Sequence, residues 1–104
     1  MIVEVEMWAF AQGKIRQVEV PDEEMALSKD VHARLEQVWY YGQNDIQPQQ
    51  IPSVSMGDIV RLDGKRWIAV MIGFEEIPEG IVACIICDER MPEAEFPAHR
   101  HARA

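Results

Sequence analysis

Hydrophobic and polar positions alternate with a period of two at the start of the chain. Val3, Val5, Met7 and Ala9 interleave with Glu4, Glu6 and Trp8. That is the signature of a half-buried strand, and it predicts one over residues 2–10. Trp8 and Phe10 fall on its polar register, as expected at a sheet edge or over a second apolar surface. A Gly-containing turn over 11–14 leads to a second strand over 15–20. Pro21 ends that ladder because it has no amide to donate.

The period then changes. Leu27, Val31, Leu35 and Val38 lie three to four apart and form one stripe, broadened by Trp39. A single helix is predicted, starting at Asp22 or at Ser28 and ending near Tyr40 or Tyr41, with Gly42 beyond its end. Strand signals return at MGDIVRLDGKRWIAVMIG, residues 56–73. Asp63-Gly64 suits a type I′ turn, which needs positive φ at both central positions, so this stretch is predicted to be the central hairpin. Residues 73–80 form a connection. Ile81 to Cys87 is a continuous apolar run, expected to be a strand buried on both faces. The fold class predicted is α+β: an antiparallel sheet of about five strands with one helix on one face, ordered ββαβββ. One domain over 1–96 accounts for it, with 97–104 a flexible C-terminal tail and Phe96 tucked onto the body.

Between helix and hairpin runs GQNDIQPQQIPSVSMG, residues 42–57, longer than most connections. Pro48 and Pro52 argue against regular structure. Ile46, Ile51 and Val54 are expected to peg the loop to the body. Gln43, Asn44, Asp45, Gln47, Ser53, Ser55 and Asp58 give it amides, hydroxyls and carboxylates suited to a polar ligand or partner. Many of these can instead satisfy backbone groups at turns. Asp45 and Asp58 are the one carboxylate pair considered for acid/base work in a pocket. Tyr40 and Tyr41 follow Trp39 at the helix end. Three successive aromatics cannot all face the core, so one tyrosine is expected to be exposed and available as an interface anchor.

Composition narrows the partners. Eighteen acidic side chains face ten basic ones, a net charge of −8 in 104 residues. The basic footprint needed for nucleic acid or an anionic membrane is missing, which leaves a protein partner or a second copy of the chain. No apolar run is long enough to span a membrane, and the acidic start MIVEVEMW is unlike a secretory signal. A cytoplasmic protein is expected.

Cys84 and Cys87 are the only cysteines. A lone CxxC is a weak metal signal. On a continuous strand, positions three apart face opposite ways, and no Gly or Pro offers a knuckle. Two small buried hydrophobes are therefore the expectation, with no cofactor. His99 and His101 complete an alternative Cys2His2 set, with Cys87 to His99 in the zinc-finger range and an unusually short final spacing.

The string YYGQND-x-QP, followed by SVSMGD and an apolar hairpin ending in GF, resembles small uncharacterised proteins of bacteriophages, plasmids and their actinobacterial hosts. The similarity spans roughly Val38 to Phe74. It implies an accessory protein of a mobile element and specifies no activity. The expected function is a non-enzymatic interaction protein that uses the 42–57 loop and neighbouring aromatics. The alternatives are a small ligand-binding or hydrolytic domain built on Asp45 and Asp58, and a metal-stabilised module built on Cys84 and Cys87.

Overall fold

A computed structural model describes residues 1–99. The chain runs β1 (Ile2–Met7), β2 (Lys14–Glu19), α1 (Asp22–Leu27), α2 (Val31–Tyr41), β3 (Ile59–Leu62), β4 (Lys65–Ala69), β5 (Phe74–Glu76), β6 (Ile81–Ala83) and β7 (Arg90–Pro92), closing on a 3-10 turn at Glu93–Glu95. Strands β1 to β5 form one antiparallel sheet in the order β2-β1-β3-β4-β5, and β6 pairs with β7 in a separate small sheet. This is the predicted α+β class with a five-stranded antiparallel sheet.

The details depart from expectation at three places. The single helix is two. Asp30 caps α2 by accepting the Ala33 amide, so residues 28–30 break the run and Leu27 is left exposed. The fifth strand is Phe74–Glu76, within the stretch expected to be a connection. The apolar run 81–87 is a strand only as far as Ala83, and Ile85, Ile86 and Cys87 are exposed at a turn.

The central sheet is covered on both sides. On one face Val3, Val5, Met7, Val18, Val60 and Trp67 meet Leu35 and Val38 of α2. On the other, Ile59 and Ile68 meet Val82, Ala83 and Met91 of the small sheet, with Ile77 and Cys84. Asp63 and Gly64 carry φ of 56° and 73°, the left-handed pair the predicted hairpin turn requires.

Two-sided burial explains Glu6. Its place on the polar register put it in water; the structure puts it under the small sheet, bonded to Arg66. Trp8, on the same register, packs edge-to-face against Phe96 at 5.8 Å.

The 42–57 loop folds around one side chain. Arg16 of β2 projects from the helix-facing side and is fully buried. Its guanidinium donates to Asn44 Oδ1 and to the carbonyls of Gln47, Ile51 and Pro52, at 2.6–3.1 Å. The glutamines have a second task. The Gln47 side chain bonds both backbone groups of Glu19, and Gln49 donates to the Gln17 carbonyl. Side-chain amides thus occupy hydrogen-bonding positions along the β2 edge, where another strand could otherwise add.

Candidate metal centre

The knuckle between β6 and β7 brings three soft donors together. After Ala83 the chain turns tightly: the Asp88 amide donates to the Cys84 carbonyl at 2.7 Å and the Cys84 amide to the Glu89 carbonyl at 2.9 Å. Asp88 takes φ of 61°, the left-handed conformation that Asp tolerates better than most residues. Because Cys84 ends a strand and Cys87 lies beyond it on the turn, the alternation of strand faces does not separate them. The ligand atoms of Cys84, Cys87 and His99 all lie within 4.8 Å of one another. Cys87 Sγ is 3.2 Å from His99 Nε2.

Backbone amides face the sulfurs. Those of Ile86 and Cys87 point to the Cys84 sulfur, and that of Glu89 to the Cys87 sulfur. For Cys84, burial opposes ionisation, but the two amides together with the Cys87 side chain outweigh it and the thiol pKa is lowered. For Cys87, the Glu89 amide favours the thiolate, yet burial and the adjoining Cys84 sulfur prevail and hold the proton on. Cys84 is thus the thiol that ionises more easily, and a bound cation would favour the thiolate at both positions.

His99 is delivered by the 3-10 turn. Its amide bonds back to the carbonyls of Glu95 and Phe96, and its Nδ1 lies 3.3 Å from Glu89 Oε2. A carboxylate on one ring nitrogen leaves the other aimed at the thiols, an arrangement that orients metal-binding imidazoles. Residues 97–99, expected in the tail, therefore belong to the folded body. His101 and the rest of the tail lie outside the described residues.

Clefts flank the knuckle on two sides. One, about 430 Å³, is lined by Cys84 and His99 together with Trp8, Phe10 and Phe96. Beneath it sits Gly57, with φ of 94°; a Cβ there would come within 2.3 Å of Ile85 Cγ2. Any side chain at 57 would have to displace Ile85, and the positive φ also favours glycine.

The residues expected to bind a partner lie elsewhere, and most have structural tasks. Gln43 donates to the carbonyls of Trp39 and Val54. Asn44 holds Arg16 and donates to Ile51, while its amide bonds Ser53 Oγ. Ser55 Oγ bonds the Ser53 carbonyl. Asp58 is fully buried and accepts the amides of Ala9 and Ser55 at 2.8 Å. Asp45 is exposed and lines neither cleft. Of the two tyrosines Tyr40 is the exposed one, with its ring edge-to-face on Tyr41.

Sequence reasoning missed Glu89. Its position two residues beyond CxxC was the available signal, with Asp88 between them able to take the left-handed bend that a knuckle requires. Comparison with protein-family models, curated proteins and solved structures finds no match to this chain.

Proposed function

We propose that the chain is a zinc-stabilised, non-enzymatic binding module. Cys84, Cys87 and His99 hold one zinc ion, which staples the β6–β7 hairpin and the 3-10 turn onto the central sheet. The observation that carries this is the convergence of two thiols and an imidazole within 4.8 Å, with backbone amides on the sulfurs and Glu89 on the imidazole. Tetrahedral zinc places its sulfur and nitrogen ligands about 2.0–2.3 Å from the metal, so donors this close need only a small adjustment. Two thiolates with imidazole favour zinc over the hard cations, which take oxygen.

Among the described residues the donors are Cys84, Cys87 and His99 alone. The role assigned is structural, because these donors join the β6–β7 turn to the 3-10 turn that follows it. The small sheet has two three-residue strands, and a two-stranded unit of that size is marginal without further support.

Metal content and cobalt substitution test this. Protein purified without chelator is expected to carry one zinc per chain. The cobalt form should show thiolate charge-transfer absorption and the visible bands of tetrahedral cobalt. Cys84→Ser and Cys87→Ser should each remove charge-transfer intensity, and His99→Ala should shift the visible bands. Metal-free protein that takes up neither ion, or a cobalt spectrum indifferent to all three substitutions, would sink the proposal.

A further inference from the structure

We infer that the tips of two neighbouring turns form a docking surface for a basic, apolar peptide segment of another protein. Turn tips ordinarily carry Gly, Asn, Asp, Ser or Pro. Here the turn between β4 and β5 presents Met71 and Ile72, 85% and 90% exposed, and the knuckle presents Ile85 and Ile86, 46% and 64% exposed. Gly73, with φ of 80°, supplies the special backbone geometry of the first turn, so its apolar neighbours are not required by the bend. The two tips share one groove of about 430 Å³, with Met56 on its wall. Apolar side chains gathered in one exposed groove mark an interaction site more often than isolated ones do.

Charge selects the occupant. Among the described residues, Glu75 and Asp88 are the charged ones lining the groove. Arg90 pairs with Glu75 at 2.6 Å from outside it. The whole chain carries −8. A second copy would bring the same acids to the same place, and nucleic acid or an anionic bilayer would be repelled. A segment with apolar side chains flanked by Lys or Arg satisfies both halves of the surface. An amphipathic helix supplies that pattern, and Met56 and Met71 are flexible enough to pack against different apolar partners. The inference rests on the zinc reading in one respect: the ion fixes the knuckle that carries Ile85 and Ile86.

The probe is a short amphipathic Leu/Lys peptide, compared with a Leu/Glu peptide of identical apolar spacing. Each is titrated into the full chain, with zinc content measured on the same sample and methyl shifts followed by NMR. The Leu/Lys peptide should bind at least about tenfold more tightly at low salt, with the gap narrowing as salt rises. Saturable shifts should fall on Met56, Met71, Ile72, Ile85 and Ile86. The double variant Met71→Ser/Ile72→Ser should weaken binding about tenfold while keeping its fold and zinc. Equal affinity for both peptides, shifts confined to residues 42–54, or burial of these methyls in a homodimer would each overturn the inference. A zinc-loaded sample that ignores both peptides removes the docking surface alone. A zinc-free sample that still takes the Leu/Lys peptide removes the metal reading alone.

Discussion

Glu6 and Arg66, sixty residues apart in sequence, meet as a bidentate pair beneath the small sheet, with Oε1–Nη2 at 2.7 Å and Oε2–Nε at 3.0 Å. Each is almost wholly buried. Trp8 Nε1 and Arg61 Nε complete the carboxylate's partners. Arg66 in turn donates to the carbonyls of Pro78 and Ile81, which lead into β6. This one pair therefore ties the second layer to the sheet.

Removing Glu6 leaves buried Arg66 with the longer contacts to the more exposed carboxylates of Glu93, at 3.4 Å, and Glu79, at 3.8 Å. Glu6→Ala is expected to cost about 3–5 kcal/mol, the usual penalty for breaking a buried ion pair. Urea denaturation measures it, and a loss well under 1 kcal/mol would mean water reaches Arg66. The pH dependence has a definite sign. Burial alone would raise the Glu6 pKa, but the bonds from Arg66 and Trp8 and the charges of Arg66 and Arg61 outweigh it, and the net shift is downward. The folded state thus favours the carboxylate. Its contribution is fully present above the unfolded-state pKa and is lost as pH falls through the lower folded value.

Asp58 works in the opposite direction. Burial pushes its pKa up to about 6, against the amides of Ala9, Ser55 and Trp8, which lower it. Between the ordinary Asp value and about 6 the folded chain holds a proton that the unfolded chain has released. Stability should therefore fall as pH rises across that window, by about 2–3 kcal/mol from this group, and level off above it. Carboxyl NMR titration reads the pKa directly, and Asp58→Asn should abolish the falling limb. A carboxyl that titrates near 4 would contradict the expectation.

Glu6 also marks the limit of what the sequence discloses. The period-two pattern of β1 and the Asp63-Gly64 turn are local signals, and both gave the right elements. That Glu6 is buried depends on a second layer formed from residues 77–96, and no local pattern announces it. The cluster of Cys84, Cys87 and His99 was hidden for the same reason. Cys84 and Cys87 lie in an apolar run that reads as one strand. The turn over residues 85–87, closed by the Asp88 amide on the Cys84 carbonyl, brings the thiols together, and Asp88 in a left-handed conformation redirects the chain toward β7. The polar residues of the 42–57 loop were visible as unusual, but the side chain they surround belongs to β2. Arg16 falls on the strand register of Val18 and Val20, where an arginine has to find partners.

Arg16 carries the next prediction. Its guanidinium is held by four oxygens, none of them a carboxylate, and burial lowers its pKa. Arg16→Met keeps much of the volume and takes the donor from Asn44 Oδ1 and from the Gln47 and Pro52 carbonyls, while the Ile51 carbonyl keeps that of Asn44. About 3 kcal/mol should be lost, because unsatisfied buried carbonyls cost roughly 1–3 kcal/mol each and water recovers part of that. Hydrogen exchange should quicken across residues 43–54 and along the β2 edge. Arg16→Lys should rescue only partly, since an ammonium has three donors and no planar fork. Unchanged exchange in the loop would show that Val54 and Ile51 anchor it without Arg16.

Chelation should loosen the small sheet and leave the large one standing. Strands β6 and β7 pair over three residues and meet the sheet through Val82, Ala83 and Met91. The five-stranded sheet has its own helix-facing core and contains no candidate zinc ligand. With free zinc at about 100 times its dissociation constant, binding adds about 2.7 kcal/mol to the protection of whatever unfolds on losing it. Removing zinc should therefore speed exchange at Val82, Ala83 and Met91, while Val5, Val60 and Ile68 hold their protection. Gly57→Ala should reproduce part of this in zinc-replete protein, because the added methyl drives Ile85 and the knuckle away from β3. If chelator lowers no amide's protection factor, the ion is not holding the hairpin. If every strand opens together, the two sheets form one cooperative unit and the zinc staples the whole domain.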